Sequence, residues 1–437
     1  MRYSILLLFF YTSISFGQAV TLRQKINIAA AKIEQKVIDW RRDFHQHPEL
    51  GNHEVRTAQI IAEHLQSLGM EVQTGVAHTG VVAVLKGGRP GPVVALRADM
   101  DALPITERTP VPFASKLTAT YNGKSTGVMH ACGHDSHVAM LMGVAEILAA
   151  VKSELKGTVK FIFQPAEEGV PRGEEGGAEL MVKEGVLNNP GVDVIFGLHI
   201  NAGLPVGKIE YRSGGYYASV NDVKIIVKGR GAHGAYPWAS VDPIVTAAQI
   251  INNLQTIISR NLAVTQNAGV VTIGSINGGN RSNIIPEEVD MWGTLRALTP
   301  VDEQTIIERV KQIATKTAES AGATAEVIVP YSIHYPVTFN DAALTAKMLP
   351  SLQLSAGAAN VVEGKAHTGG EDFAFFQQKV PGLFFNLGAL PAGTSPKEAA
   401  SHHTPDFYLD ESGFIVGVKA LANLATDYMD MLQAKKK

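Results

Sequence analysis

The sequence predicts an α/β fold in which a mixed, largely parallel sheet flanked by helices carries an inserted, smaller α+β module. Two patterns support this. Short apolar runs at 81–85, 93–96, 159–163, 194–196 and 383–386 alternate with helical stretches, which is the pattern of strands buried on both faces. From about Tyr216 onward the runs become longer, amphipathic strands around two helices.

Taken in order, apolar residues recur at helical spacing over 21–46 and again over 54–68, where Gly69 stops the second helix. A third helix is expected over 136–155, after the motif Cys132-Gly133-His134-Asp135-Ser136-His137. Strands at 220–228, 269–276, 289–298 and 323–331, with helices at 243–259 and 300–320, read as a β-α-β-β-α-β, ferredoxin-like module. The expected division is a signal peptide over 1–17, a first catalytic part over 18–215, the inserted module over 216–333 and a second catalytic part over 334–437.

The N-terminal segment reads as an export signal. Arg2 precedes an apolar run over 5–16, and Ser15 and Gly17 suit cleavage after Gly17. The run is shorter than the roughly 20 apolar residues of a membrane span, and no cysteine follows it to carry a lipid. The expectation is therefore an exported protein, periplasmic or secreted, with no stable membrane anchor. A net charge of −3 gives none of the basic footprint of nucleic-acid binding, and Lys435 to Lys437 read as a solvated tail.

Cys132 is the only cysteine of the 437 residues, so it has no internal disulfide partner. One residue separates it from His134, and a thiolate and an imidazole that close can grip a divalent metal. Three apolar runs lead into polar groups: Arg97-Ala98-Asp99-Met100-Asp101, Gln164-Pro165-Ala166-Glu167-Glu168 and Gly197-Leu198-His199. Ligand crevices of open α/β sheets lie beyond the carboxyl ends of strands, where these groups would converge. Adjacent carboxylates on a turning backbone point in different directions, so Glu168 can ligate while Glu167 accepts a proton from water. With His403, the set Cys132, His134, Glu168 and His199 has the mixed softness of a site for two transition-metal ions rather than calcium or magnesium.

Two glycine patterns are decoys. Gly229-Arg230-Gly231-Ala232-His233-Gly234 fits a dinucleotide fingerprint, but Pro237 and Pro243 break the helix it requires. Gly123-Lys124-Ser125 resembles the end of a phosphate loop, yet Thr118 stands where the first glycine should be, and no strand is expected before it.

Several longer motifs closely resemble one family: Arg41-Arg42-Asp43-Phe44-His45-Gln46-His47-Pro48-Glu49-Leu50, Leu96-Arg97-Ala98-Asp99-Met100-Asp101-Ala102-Leu103-Pro104, Met129-His130-Ala131-Cys132-Gly133-His134-Asp135, Gln164-Pro165-Ala166-Glu167-Glu168-Gly169 and Gly369-Gly370-Glu371-Asp372-Phe373. The resemblance is to the amidohydrolase branch of the dinuclear-metal aminoacylase and carboxypeptidase family, which includes hippurate hydrolases, N-acyl-amino-acid amidohydrolases and plant indole-acetyl-amino-acid hydrolases. It covers nearly everything after the signal segment.

The resemblance implies a catalytic domain interrupted by a lid that often forms a dimer contact. It makes Cys132, His134, Glu168, His199 and His403 the ligands of two divalent ions, zinc or manganese first and cobalt or nickel as alternatives. Cys132 would bridge them, although the wider family bridges with an aspartate and places a ligand histidine near Asp99. Glu167 would be the general base and Asp101 would orient a ligand. His233 would reach the active site from the lid, commonly from a partner subunit, and Asn283 and Arg296 would hold the substrate carboxylate. The implied activity is metal-dependent hydrolysis of N-acyl amino acids or short peptides, with turnover dependent on lid motion. A carboxypeptidase of the same fold and a non-catalytic binding protein are the rival readings.

Overall fold

A computed structural model describes residues 20–171, 173–266 and 268–434. The expected signal peptide and the lysine tail lie outside these residues. The first helix, Leu22–Gln46, opens with Thr21 and Gln24 capping one another's backbone amides, and Val55–Ser67 follows it.

The main sheet has eight strands in the order Glu71–Val76, Gly80–Lys86, Lys156–Gln164, Arg89–Asp99, Val194–Pro205, Gly382–Leu390, Ile209–Tyr211 and Val361–Glu363. Its centre is parallel: Arg89–Asp99 pairs in parallel with Lys156–Gln164 and Val194–Pro205, and Val194–Pro205 pairs in parallel with Gly382–Leu390. Successive residues feed opposite layers. Leu96, Phe161, Phe163, Phe196 and Phe385 pack beneath the helices Leu22–Gln46, His134–Ala150 and Phe414–Ala434. Ala95, Ile162, Ile195 and Phe384 pack on the other face with Met181, Phe373 and Phe376. Each of these Leu, Ile, Met and Phe side chains stabilises the fold by about 1.5–3 kcal/mol on burial, and this two-sided burial is why the runs read as continuously apolar.

The second sheet orders Gly269–Asn277, Glu288–Ala297, Val220–Lys228 and Thr324–Ile328, all antiparallel. Along Val220–Lys228, Val223, Ile225 and Val227 are buried against helices Pro243–Leu254 and Pro300–Ser320, the period-two pattern of a sheet with one packed face. His334–Tyr335 adds a further edge pairing to the start of Val220–Lys228. The chain crosses between the sheets twice, and the crossings Gly214–Tyr217 and Thr338–Asn340 pair with each other.

Four local expectations are corrected. The long helix of the module divides at Gln255 into Pro243–Leu254 and Thr256–Asn261. The helix expected over 136–155 begins earlier and ends sooner, as His134–Ala150. A strand does precede Gly123: Thr118–Tyr121 and Lys124–Gly127 form a hairpin that turns at Asn122-Gly123. His199 does not end its strand, which continues to Pro205; it stands just past Arg97–Gly197, the last pairing with the neighbouring strand.

Candidate metal centre

Gly133 sets the relative placement of Cys132 and His134. It caps the His134–Ala150 helix at φ 95°, and a Cβ there would fall 2.4 Å from Ile200 Cγ2. Only glycine satisfies both demands. The helix it opens is buried around nearly its whole circumference, so His134 starts from a rigid base.

Glu167 and Glu168 follow Ala166, whose φ of 51° is left-handed and turns the chain sharply at the end of Lys156–Gln164. The turn is held by carboxylates. Glu54 accepts the Ala166 N–H at 2.9 Å, and Asp101 Oδ2 accepts the Glu168 N–H at 3.0 Å. Asp101 Oδ1 lies 3.2 Å from His134 Nδ1, which commits that nitrogen's proton and leaves Nε2 free.

The five side chains expected as ligands converge, although Cys132 and His403 stand 271 residues apart. Cys132 Sγ lies 3.3 Å from both His199 Nε2 and His403 Nε2. His403 Nε2 is 3.0 Å from Glu168 Oε1, and His134 Nε2 is 3.9 Å from the same oxygen. These separations suit donors about 2.0–2.3 Å from a shared tetrahedral ion. His199 Nδ1 donates to the Ile200 carbonyl at 2.6 Å, turning Nε2 toward the sulfur, as second-shell partners of ligand histidines do. His134 Nε2 is buried without a hydrogen-bond partner, a costly state that a cation would relieve. The residues present therefore fit two divalent transition-metal ions.

The electrostatics point the same way. Burial disfavours the His134 cation, yet Asp99, Asp101 and Glu168 raise its pKa to about 10. Burial, then Glu168 and Glu167, push the Cys132 thiol far above its usual range. A metal ion would displace both protons. The two neighbouring glutamates are driven apart. Burial, Glu371 and Glu168 raise Glu167 well above the ordinary carboxylate range, while burial's upward push on Glu168 is outweighed by the His403 hydrogen bond and by His134, which lower it. Groups separated in this way are suited to different roles, Glu168 as an anionic ligand and Glu167 as a proton carrier.

Sequence reasoning missed the frame around these groups. Arg97 is fully buried and contacts Asp99, Glu371 and Asp372 at 2.6–3.0 Å, and Gln164 joins it to the same network. Asp99 also accepts from His137 Nδ1, and His137 Nε2 accepts the Ile200 N–H at 2.8 Å. Asp99 and His137 have the spacing of ligands, but their polar atoms are already engaged. The resemblance offered a signal for Asp99; His137 stood in the opening motif without a role.

A cavity of about 630 Å³ exposes Cys132, Glu167, Glu168, His199 and His403, and Arg296 of the second sheet lines it with them. His233 and Asn283 do not. They are exposed on the module, where His233 pairs with Ile284 and the Gly234 N–H bonds to the Asn283 carbonyl, and they line a separate cavity of about 790 Å³.

The chain matches the profile of peptidase family M20/M25/M40 over residues 95–427. N-acetylcysteine deacetylase of Bacillus subtilis strain 168 is 40% identical over 402 residues, spanning 91% of this chain and 98% of that protein. Thermostable carboxypeptidase 2 of Saccharolobus solfataricus is 38% identical over 410 residues, spanning 93% and 99%. Among solved structures, the Bacillus subtilis YXEP protein, described as a dinuclear metal binding peptidase from the M20 family, gives a TM-score of 0.76 at 37% identity, covering 92% of this chain and 99% of that one.

Proposed function

The chain belongs to peptidase family M20/M25/M40, and on that premise we propose that it hydrolyses the amide bond of N-acyl amino acids or short peptides bearing a free carboxylate. One observation carries the proposal: Cys132, Glu168, His199 and His403 share a single cavity with the buried Glu167 and the cation Arg296, and His134 points Nε2 at Glu167 and Glu168 from 3.8 and 3.9 Å.

Cys132, His134, Glu168, His199 and His403 would hold two divalent ions. Zinc or manganese suits the donor set first, and cobalt or nickel also suits it. Bound there, the ions would polarise the amide carbonyl and acidify water. Arg296 pairs with the substrate carboxylate and so sets which amide faces Glu167. Glu167 takes a proton from the attacking water, and the new C–O bond forms as the carbonyl π electrons move to oxygen. Glu167 then returns that proton to the departing nitrogen as the C–N bond breaks, leaving a carboxylic acid and an amine. Glu167→Gln should retain its metal and lose nearly all turnover; an active Gln variant would remove Glu167 from this role.

His233 and Asn283 reach such a site from a second copy of the chain. The surface around them exposes Trp238, Tyr236, Val245 and Ile284, with Trp238 78% exposed, which favours a homodimer through the module. His233 would then donate to the oxygen on which charge develops, an interaction worth about 3 kcal/mol in comparable sites. Mixing the inactive variants His233→Ala and Glu167→Gln should restore activity, because each hybrid dimer contains one complete site; a mixture that stays inactive would place His233 elsewhere.

N-acetyl amino acids assayed against dipeptides, on enzyme reloaded with each metal, will divide deacylase from carboxypeptidase activity. Export remains the expected address, supported by the N-terminal sequence pattern, with cleavage after Gly17; a mature protein retaining Met1 would refute the cleavage. Among the described residues no helix is long and apolar enough to cross a membrane.

A further inference from the structure

Three backbone polar atoms, on two peptide groups of the Ala166-Glu167-Glu168 turn, are held by side chains, and the clamps come from two different bodies of the protein. Glu54 takes the Ala166 N–H and Asp101 the Glu168 N–H, both from the segments around the main sheet. The third clamp is Tyr335, whose hydroxyl donates to the Glu167 carbonyl at 2.8 Å. Tyr335 belongs to the edge strand of the second sheet, where it pairs with Val220 at the start of that sheet's central strand.

That strand also pairs with Glu288–Ala297, the strand carrying Arg296, and both Tyr335 and Arg296 line the cavity. Gly370 makes the contact tight. A Cβ there would stand 2.3 Å from Val220 Cγ2, 3.3 Å from Tyr335 Cδ2 and 3.6 Å from Arg296 Nη1. The sheet edge thus lies directly against the loop that supplies Glu371, a neighbour of Glu167.

We propose that Tyr335 is a positioning residue that sets the peptide plane behind Glu167 and transmits the position of the second sheet to the base. This rests on Glu167 being the base. A carbonyl held on one side of a peptide plane fixes the orientation of the following N–H and limits the directions its own residue's carboxylate can take. Arg296 and Tyr335 move with one hydrogen-bonded sheet, so drawing Arg296 onto a substrate carboxylate displaces the Tyr335 hydroxyl with it. Seating the substrate and aiming the base become one motion, which gives lid closure a direct route to the chemistry.

The test is Tyr335→Phe, which removes one oxygen, measured in the full-length, metal-loaded enzyme. We expect kcat to fall about tenfold, with KM within about twofold of the parent and metal content unchanged. The same substitution placed in Glu167→Asp enzyme, whose carboxylate is already withdrawn, should lower kcat by less than about threefold, because the two residues act through one group. Parental kcat in Tyr335→Phe overturns the proposal. So does a loss of metal content, which marks a structural role, and so does an equal loss in both backgrounds. Turnover retained by Glu167→Gln would instead remove the base itself; an inactive Gln variant beside a fully active Tyr335→Phe removes the Tyr335 proposal alone.

Discussion

Asp101 holds His134 by its Nδ1 at 3.2 Å, and with its second oxygen it holds the backbone N–H of Glu168. One carboxylate thus aims two of the residues that would bind metal, an imidazole through its ring and a glutamate through its peptide. Asp101→Asn keeps the volume but replaces one acceptor with an NH2, which must face either the His134 N–H or the Glu168 N–H. Second-shell losses of this kind typically lower metal affinity by roughly 10–100-fold. Titration against a competing chelator should show a fall in that range; parental affinity would make Asp101 dispensable to the site.

His402 and His403 both approach Cys132, and their hydrogen bonds separate their roles. His402 Nε2 accepts the Ala202 N–H at 3.1 Å, so its proton sits on Nδ1, which faces Cys132 Sγ at 3.6 Å. It is arranged to stabilise a thiolate as a donor. His403 turns Nε2 toward both the sulfur and Glu168, as a ligand would. His403→Ala should lose metal stoichiometry by elemental analysis, whereas His402→Ala should keep it at saturating metal and bind about tenfold more weakly. Equal stoichiometric loss in both variants would contradict the division.

The apolar runs were legible because the main sheet is buried on both faces, which leaves a continuous signal. Cys132, His134 and Glu168 were legible because each lies beside a strand end or helix start, whereas His403 lies in a turn and was legible only together with them. His199 was found for an inexact reason: its strand runs on to Pro205, and what exposes it is the divergence of the neighbouring strand after Arg97. The Arg97 cluster left no local trace, since Arg97 and Asp372 stand 275 residues apart and meet only in the folded chain. His233 and Asn283 carry a recognisable motif, but a motif does not say whose cavity it enters, and within one chain they line a different one from Cys132.

His45 is buried between two carboxylates, with Nδ1 2.6 Å from Asp135 and Nε2 3.2 Å from Glu107. Burial and the nearby Arg41 disfavour its cation, but Asp135 and Glu107 outweigh them and raise its pKa above 6.5. A raised folded value means that this stabilisation is fully present below about pH 6.5 and is lost as pH rises through the folded pKa. His45→Gln should therefore destabilise the protein most near pH 6, by about 3–5 kcal/mol for a broken buried pair. The gap from the parent should shrink toward pH 9. Denaturant unfolding at the two pH values checks this; a gap that widens with pH would reverse the assignment.

Gly370 and Gly369 are adjacent, yet they differ sharply in what a methyl group would meet. At Gly370 the added Cβ lies 2.3 Å from Val220 Cγ2, whereas at Gly369 the nearest atom is Tyr217 Cδ1 at 3.9 Å. Val220 starts the central strand of the second sheet, so the Gly370 clash must push that sheet edge, with Tyr335 and Arg296, away from the cavity. Overpacking of this kind costs about 1–3 kcal/mol. Gly370→Ala should raise KM for carboxylate-bearing substrates and lower kcat, each about fivefold to tenfold, while Gly369→Ala stays within about twofold of the parent. Steady-state kinetics on the pair gives the comparison. If Gly370→Ala kept parental constants, the loop and the sheet edge would move independently, and the close packing at Val220 would have no part in turnover.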